Sequence, residues 1–185
     1  NIDEIQRHAI TKLAHIHFPE TKEAAQRIKR MGEEAWRIHA VGSLYIDRIA
    51  KKMYTPTEHA KKKYGIAQGD QYAIALLHPE TFCSREENYA TAKNMFAVLK
   101  KSAIPAIVIH PCSDPGYGGV MRAIDEIRGD PRFMIYKNIE HLHFLGLLAG
   151  ARFVIGNSSM GIKEAPYLQL PAINIGERER RRERE

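Results

Sequence analysis

The sequence predicts an α/β fold, a parallel sheet with helices on both faces. From residue 43 onward, short apolar runs at 71–77, 105–110, 133–136, 152–155 and 171–175 alternate with longer amphipathic stretches. That alternation is the pattern of strand–helix–strand units, in which each helix crosses back over the sheet. A second observation agrees with it. Residues able to do chemistry recur just after these runs: His78, Asp114, Lys137, Ser158 and Ser159. In a parallel sheet the strand exits share one edge, and open α/β sheets bind ligands there.

The chain of 185 residues is long enough for one good core and part of a second, and 44% apolar content suits a globular protein. No apolar run is long enough to span a bilayer, and no basic start leads into a signal core. Cys83 and Cys112 give neither a disulfide framework nor a metal-knuckle spacing, so a cytoplasmic setting is expected. The net charge of +6 raises the question of nucleic acid. Yet Glu177 to Glu185 holds five arginines against four glutamates, and no aromatics are interleaved with Lys51, Lys52 and Lys61 to Lys63. Single-strand binders need such aromatics. No nucleic-acid or membrane partner is expected, and a basic site for a diphosphate accounts for the excess.

Taken in order, Asn1 leads the chain without a methionine, which reads as a start part-way through a domain. Leu13 to Phe18 reads as a strand with His15 and His17 on one face. No neighbouring Cys or acid completes a metal site there. Glu20 to Gly32 is a helix with Ala24, Ile28 and Met31 at helical spacing, stopped by Gly32. Arg37 to Val41 is a short strand. Ser43 is expected to cap the helix carrying Leu44, Ile46 and Ile49. Pro56 to Asp70 is a polar helix and turn, and Lys61 to Lys63 a solvated face.

Gln71 to Leu77 is a buried strand ending at His78-Pro79-Glu80-Thr81. Ser84 to Lys101 is a helix with Tyr89, Ala92, Met95, Phe96 and Leu99 on one face. Pro105 to His110 is the next strand, and its exit, Pro111 to Gly119, is rich in turn residues. Gly119 to Arg128 is helical, Phe133 to Tyr136 a strand, and His141 to Ala149 a helix. His141 and His143 carry no assigned chemistry.

The stretch from Arg152 to Gly176 holds the most information. Phe153-Val154-Ile155 is a strand, Gly156 to Gly161 a small polar turn, Ile162 to Leu168 a short helix, and Pro171 to Ile175 a strand. A turn of this kind between strand and helix offers backbone N–H groups, the Ser158 and Ser159 hydroxyls and Gly161 to a phosphate. Glu164, about one turn into the helix, would repel a phosphate but suits ribose hydroxyls. Capping by the serines is the alternative. No GxGxxG turn follows the first strand, so a dinucleotide redox cofactor is not expected.

Several motifs share one resemblance. GNSSMGIKEAP followed by PAINIGER, with HPET at 78–81 and PCSDPG at 111–116, resembles the signature of the hydrolysing UDP-N-acetylglucosamine 2-epimerases. The resemblance implies one half of a GT-B-like two-domain enzyme. Residues 1–42 would be the tail of the amino-terminal Rossmann-like domain. Residues 43–185 would be the carboxyl-terminal, nucleotide-binding Rossmann-like domain, incomplete at its end. VGSLYID, at 41–47, resembles the hinge.

The resemblance also implies site roles. His78 would lie beside the diphosphate as a catalytic residue. Asp114, Ser158, Ser159, Gly161, Glu164 and Arg178 would bind UDP or the sugar, and Lys137 and Ile139 would lie at the uracil. Cys112 stands where asparagine is usual, Glu179 where glutamine is usual and Arg181 where glycine is usual, while Arg178 and Arg182 match. The implied reaction removes UDP from UDP-N-acetylglucosamine and adds water, giving N-acetylmannosamine, as in sialic acid biosynthesis. Its acid/base carboxylates would lie mostly outside this chain. No metal or redox cofactor is implied, and family members commonly form homo-oligomers. Three alternatives stand beside it: the non-hydrolysing epimerase, a hydrolysing enzyme for UDP-diacetylbacillosamine, and a non-catalytic nucleotide-binding module.

Overall fold

Helix α1 (Ile2–Leu13) opens the chain in a computed structural model that describes residues 2–179. The Arg181 and Arg182 expectations lie outside the described residues. The chain divides into two compact units, the first ending at Lys51 and the second starting at Lys52. After α1 the first unit holds α2 (Lys22–Arg30), a 3-10 turn at Ala35–Arg37, and α3 (Leu44–Ala50). Thr21 caps α2 by accepting from the Ala24 N–H at 3.0 Å, and basic residues fill its last turn, against the negative end of the helix dipole.

Two strand expectations fail in this unit. Leu13 belongs to α1, because Ile5, Ala9 and Leu13 recur every four residues. Arg37 closes the 3-10 turn. Among the described residues of this unit only His17 and Ile38 make a parallel bridge, carried by His17 N–H to Arg37 O at 2.7 Å and His39 N–H to His17 O at 2.9 Å. Two short segments paired only with each other satisfy too few backbone groups to make a sheet. Nor does Ser43 cap α3; its hydroxyl donates to Glu20 Oε1 at 3.4 Å. His17 does have an acidic neighbour, Glu33, with Nε2 to Oε2 at 3.3 Å. Glu33 lies far off in sequence, so local spacing did not reveal it.

The second unit runs α4 (Thr57–Lys63), β1 (Ala73–Leu76), α5 (Arg85–Lys101), β2 (Ala106–Ile109), α6 (Tyr117–Asp125), β3 (Phe133–Tyr136), α7 (His141–Ala149) and β4 (Phe153–Gly156). A 3-10 turn (Ser159–Gly161), α8 (Glu164–Tyr167) and β5 (Ala172–Asn174) complete it. Every expected strand of this unit is present: β1, β2 and β5 are trimmed at both ends, β3 has the expected bounds, and β4 starts and ends one residue later than expected. The sheet is parallel throughout in the order β3-β2-β1-β4-β5. The chain starts in the middle, winds to one edge, then returns past β1 to build the other. This is the doubly wound, Rossmann-like arrangement, with its switch point between β1 and β4.

Alternating residues explain the two covered faces. Ala73, Ala75, Val108 and Ile155 pack with Met95, Phe96 and Leu99 of α5 and Val120 and Ile124 of α6. Each large side chain of that set contributes about 1.5–3 kcal/mol by burial. On the opposite face, the hydroxyl of buried Tyr72 donates to Leu147 O of α7 at 2.6 Å, and that of Tyr136 to Tyr64 O, just past α4, at 2.7 Å.

Helix α5 starts at a full capping box between Ser84 and Glu87. Helix α6 starts earlier than the apolar spacing suggests, because Gly116 turns the chain with φ of +95°. A Cβ on Gly119 would lie 2.1 Å from Arg85 O, so α5 and α6 approach backbone to backbone there.

The helix expected at 162–168 is split. An α-helix from Ile162 would need an N–H from Pro166, which has none. The chain makes a 3-10 turn first, and Pro166 falls in the first turn of α8, where it is tolerated. Glu164 is therefore the first residue of α8 rather than one turn in.

Candidate functional site

The site is built at the switch point from four strand exits. After β1 comes His78, and after β4 comes Asn157, only 1% exposed. The last registered pair of these strands is Leu76 with Gly156, and one further backbone bond, Asn157 N–H to Leu76 O at 3.2 Å, follows it. The Asn157 carboxamide then takes over. Its Oδ1 accepts the His78 N–H at 2.6 Å, and its Nδ2 donates to His78 O at 2.9 Å.

From the β2 exit, the Cys112 N–H donates to His78 Nδ1 at 3.1 Å. A neutral imidazole with Nδ1 as acceptor carries its proton on Nε2. The Cys112 thiol donates to Asp114 Oδ2 at 3.0 Å. Burial raises the thiol pKa first, and the Asp114 bond adds to it. Cys112 thus acts on His78 through its backbone, which its side chain could not announce. From the β5 exit, Arg178 Nη1 donates to Asn157 O at 3.3 Å and to Glu179 Oε1 at 3.0 Å, with Glu179 fully buried.

His78, Asp114 and Arg178 are therefore brought together. Ser158 and Ser159 follow Asn157 directly, Gly161 closes the 3-10 turn, and Glu164 begins α8 on the same connection. Ser158 makes no side-chain cap bond. Among the described residues the N–H groups of Ser158, Ser159 and Met160 donate to no acceptor. Ser158 and Gly161 line a narrow crevice with Gly156 and Asn174. Lys137 is exposed and Ile139 buried after β3, an edge strand separated from β1 by β2. No hydrogen bond among the described residues ties these two to the cluster.

Sequence reasoning missed three supports. Asn157 sits inside the quoted GNSSMG stretch, and its place just after a strand was the available signal. Glu80 lies within HPET; its Oε1 accepts the Glu177 N–H at 2.8 Å and so holds the Arg178 loop. Asn88 gave no signal. Its Nδ2 donates to the carbonyls of Glu80, Cys83 and Ser84 at 3.0–3.2 Å, and its Oδ1 accepts the Glu80 N–H at 2.8 Å, fixing the loop after His78.

Burial, and secondarily the Arg178 guanidinium, lower the His78 pKa to about 4, against a smaller opposing pull from Asp114. The ring is neutral at pH 7, so Nε2–H is a neutral donor. The unfolded chain binds the proton near the ordinary 6.5, the folded chain only near 4. The contribution of neutral His78 is complete above pH 6.5 and declines as pH falls to about 4. Denaturant unfolding of wild type and His78→Asn should give a stability difference that moves in favour of wild type as pH rises through that window. A flat difference would show that the imidazole is not desolvated.

Open doubly wound sheets of this order take their ligands at the switch point, and the second unit has that Rossmann-like fold. The chain belongs to the UDP-N-acetylglucosamine 2-epimerase family, whose profile matches residues 1–185. It is 34% identical over 181 residues to the UDP-N-acetylglucosamine 2-epimerase of Neisseria meningitidis serogroup B, covering 98% of this chain and 47% of the relative. It is 31% identical over 187 residues to the hydrolysing UDP-N,N'-diacetylbacillosamine 2-epimerase of Legionella pneumophila, covering 99% of this chain and 48% of that protein. The chain thus spans about half the length of these relatives. Among solved structures, the Methanocaldococcus jannaschii UDP-GlcNAc 2-epimerase in complex with UDP-GlcNAc and UDP matches with a TM-score of 0.68 at 18% identity, over 88% of this chain and 46% of that one. The likeness establishes the fold. No described helix is long and apolar enough to cross a membrane.

Proposed function

We propose that this chain is the nucleotide-binding part of a hydrolysing UDP-N-acetylglucosamine 2-epimerase. The observation that carries the reading is the neutral His78, tied through Asn157 to Arg178 and to the open amides of Ser158, Ser159 and Met160. A base removes the C2 proton of the sugar and the anomeric C–O bond breaks. UDP leaves with the bonding pair, giving a glycal. Water then adds across the double bond, its oxygen at C1 and a proton at C2 on the opposite face, and N-acetylmannosamine results.

The residues of this chain act on the leaving group. Donors aimed at the diphosphate lower the barrier most where its charge grows. His78 Nε2–H, Arg178 and the serine amides serve there, Glu164 accepts from the ribose hydroxyls, and the Lys137–Ile139 segment meets the uracil. Asp114 holds the Cys112 loop against the sugar side. The base and acid for C2 and water come from sequence outside this chain. On this reading residues 1–42 end an amino-terminal domain and 43–185 form the carboxyl-terminal one, in a cytoplasmic homo-oligomer without metal or redox cofactor.

Product analysis of the full-length protein with UDP-N-acetylglucosamine tests the reading. Free N-acetylmannosamine with UDP is expected; UDP-N-acetylmannosamine would mean the non-hydrolysing reaction, and no product would leave only a binding module. The nearly equal identity to the diacetylbacillosamine relative favours one second reading, so the diacetylated nucleotide belongs in the same assay. A separate titration tests the ribose contact. Glu164→Ala should weaken UDP binding about tenfold, the value of a charge-assisted hydrogen bond. An unchanged Kd would remove Glu164 from the ribose.

A further inference from the structure

Asn157 is almost wholly buried, and it uses its side chain and its own carbonyl on two different site residues. Its carboxamide takes both the N–H and the C=O of His78, at 2.6 and 2.9 Å. Its carbonyl accepts from Arg178 at 3.3 Å. Beyond Gly156, whose φ is +142°, the Asn157 N–H still reaches Leu76 O at 3.2 Å, and at His78 the Asn157 carboxamide stands in for the next backbone partner. A buried, unsatisfied N–H or C=O is costly. A carboxamide is the neutral side chain that both donates and accepts in one plane, so it extends the sheet by one step. If that were all, any backbone segment would serve as the recipient. The recipient here is the residue whose ring is fixed by the Cys112 N–H, and the donor's carbonyl is held by the cation of the next strand exit.

We propose that Asn157 is a positioning residue that sets the spacing between the His78 imidazole and the Arg178 guanidinium across the switch point, where the diphosphate leaves. The proposal rests on the reading above that His78 meets that diphosphate. A carboxylate in place of the carboxamide still accepts the His78 N–H but turns an acceptor toward the His78 carbonyl. It also adds a negative charge beside an imidazole that already faces Arg178, Asp114 and the Cys112 loop. A serine stays neutral and reaches fewer of the same groups. A displacement of about 1 Å at a reacting group costs on the order of 100-fold.

The test uses the full-length enzyme with UDP-N-acetylglucosamine, reading kcat, KM and the pH profile of Asn157→Asp and Asn157→Ser beside His78→Ala. Both Asn157 variants should lose kcat by about 100-fold. Asn157→Ser should leave KM within about fivefold, since it removes position rather than uniform binding. Asn157→Asp should also move the acid limb of the profile to higher pH, which a purely structural loss would not do. Were the aspartate variant not to fold, the serine variant decides by its kcat–KM split. Turnover within about threefold of wild type, with His78→Ala inactive, would overturn the role of Asn157 and leave the epimerase reading standing. If His78→Ala also keeps its turnover, both fall together.

Discussion

Alanine at position 78 should lower kcat of the full-length enzyme by about 1000-fold, within the range for removal of a positioned acid–base or donor group. The imidazole is neutral at pH 7, and its Nδ1 is committed to the Cys112 N–H at 3.1 Å. Only Nε2–H remains to meet a substrate. Alanine removes that donor and also orphans the Cys112 amide, so a second variant separates the two losses. His78→Asn presents an oxygen near the Nδ1 position but no donor at Nε2. Both should be slow if the lost donor is the cause. Near-normal turnover by steady-state kinetics in either variant would take His78 out of the mechanism.

Substituting alanine for Gly156 should destabilise the protein by about 3–5 kcal/mol, in the range reserved for a named defect in a core. A Cβ there would lie 1.9 Å from Leu76 O and 2.6 Å from Leu76 C, and the φ of +142° is itself unfavourable for a side chain. Neither neighbouring atom can swing aside, because Leu76 is paired to Gly156 within the ladder. The strands must part at the switch point, which would also separate Asn157 from His78. For a chain of this length the melting temperature should fall by roughly 10 °C or more. Gly161→Ala is the control, since its Cβ would meet nothing nearer than Ala172 Cβ at 3.7 Å. Equal melting of the two variants would refute the close approach.

Much of the second unit was legible because its signals are local. Apolar runs bounded by turns marked the five strands, and the face of Tyr89, Ala92, Met95, Phe96 and Leu99 marked α5. In the first unit, the extended look of Leu13 to Phe18 and Arg37 to Val41 was outweighed by helical spacing before one and a 3-10 turn into the other. The GNSSMGIKEAP stretch and HPET pointed to the family whose profile matches the whole chain.

In the second unit, local sequence sets which segments become strands, that they run parallel, and which residues stand at their exits, because periodicity, glycine and proline act within a few residues of themselves. Tertiary structure alone decided that β4 inserts beside β1 rather than beside β3. That insertion, between segments far apart in the chain, brings the Asn157 carboxamide onto the His78 backbone, while the β2 exit lays the Cys112 N–H on Nδ1 and so leaves the ring's proton on Nε2. Partners joined only across a sheet leave no mark in local spacing. Their identity follows from burial, which requires every N–H and C=O left over at the end of a ladder to find a partner.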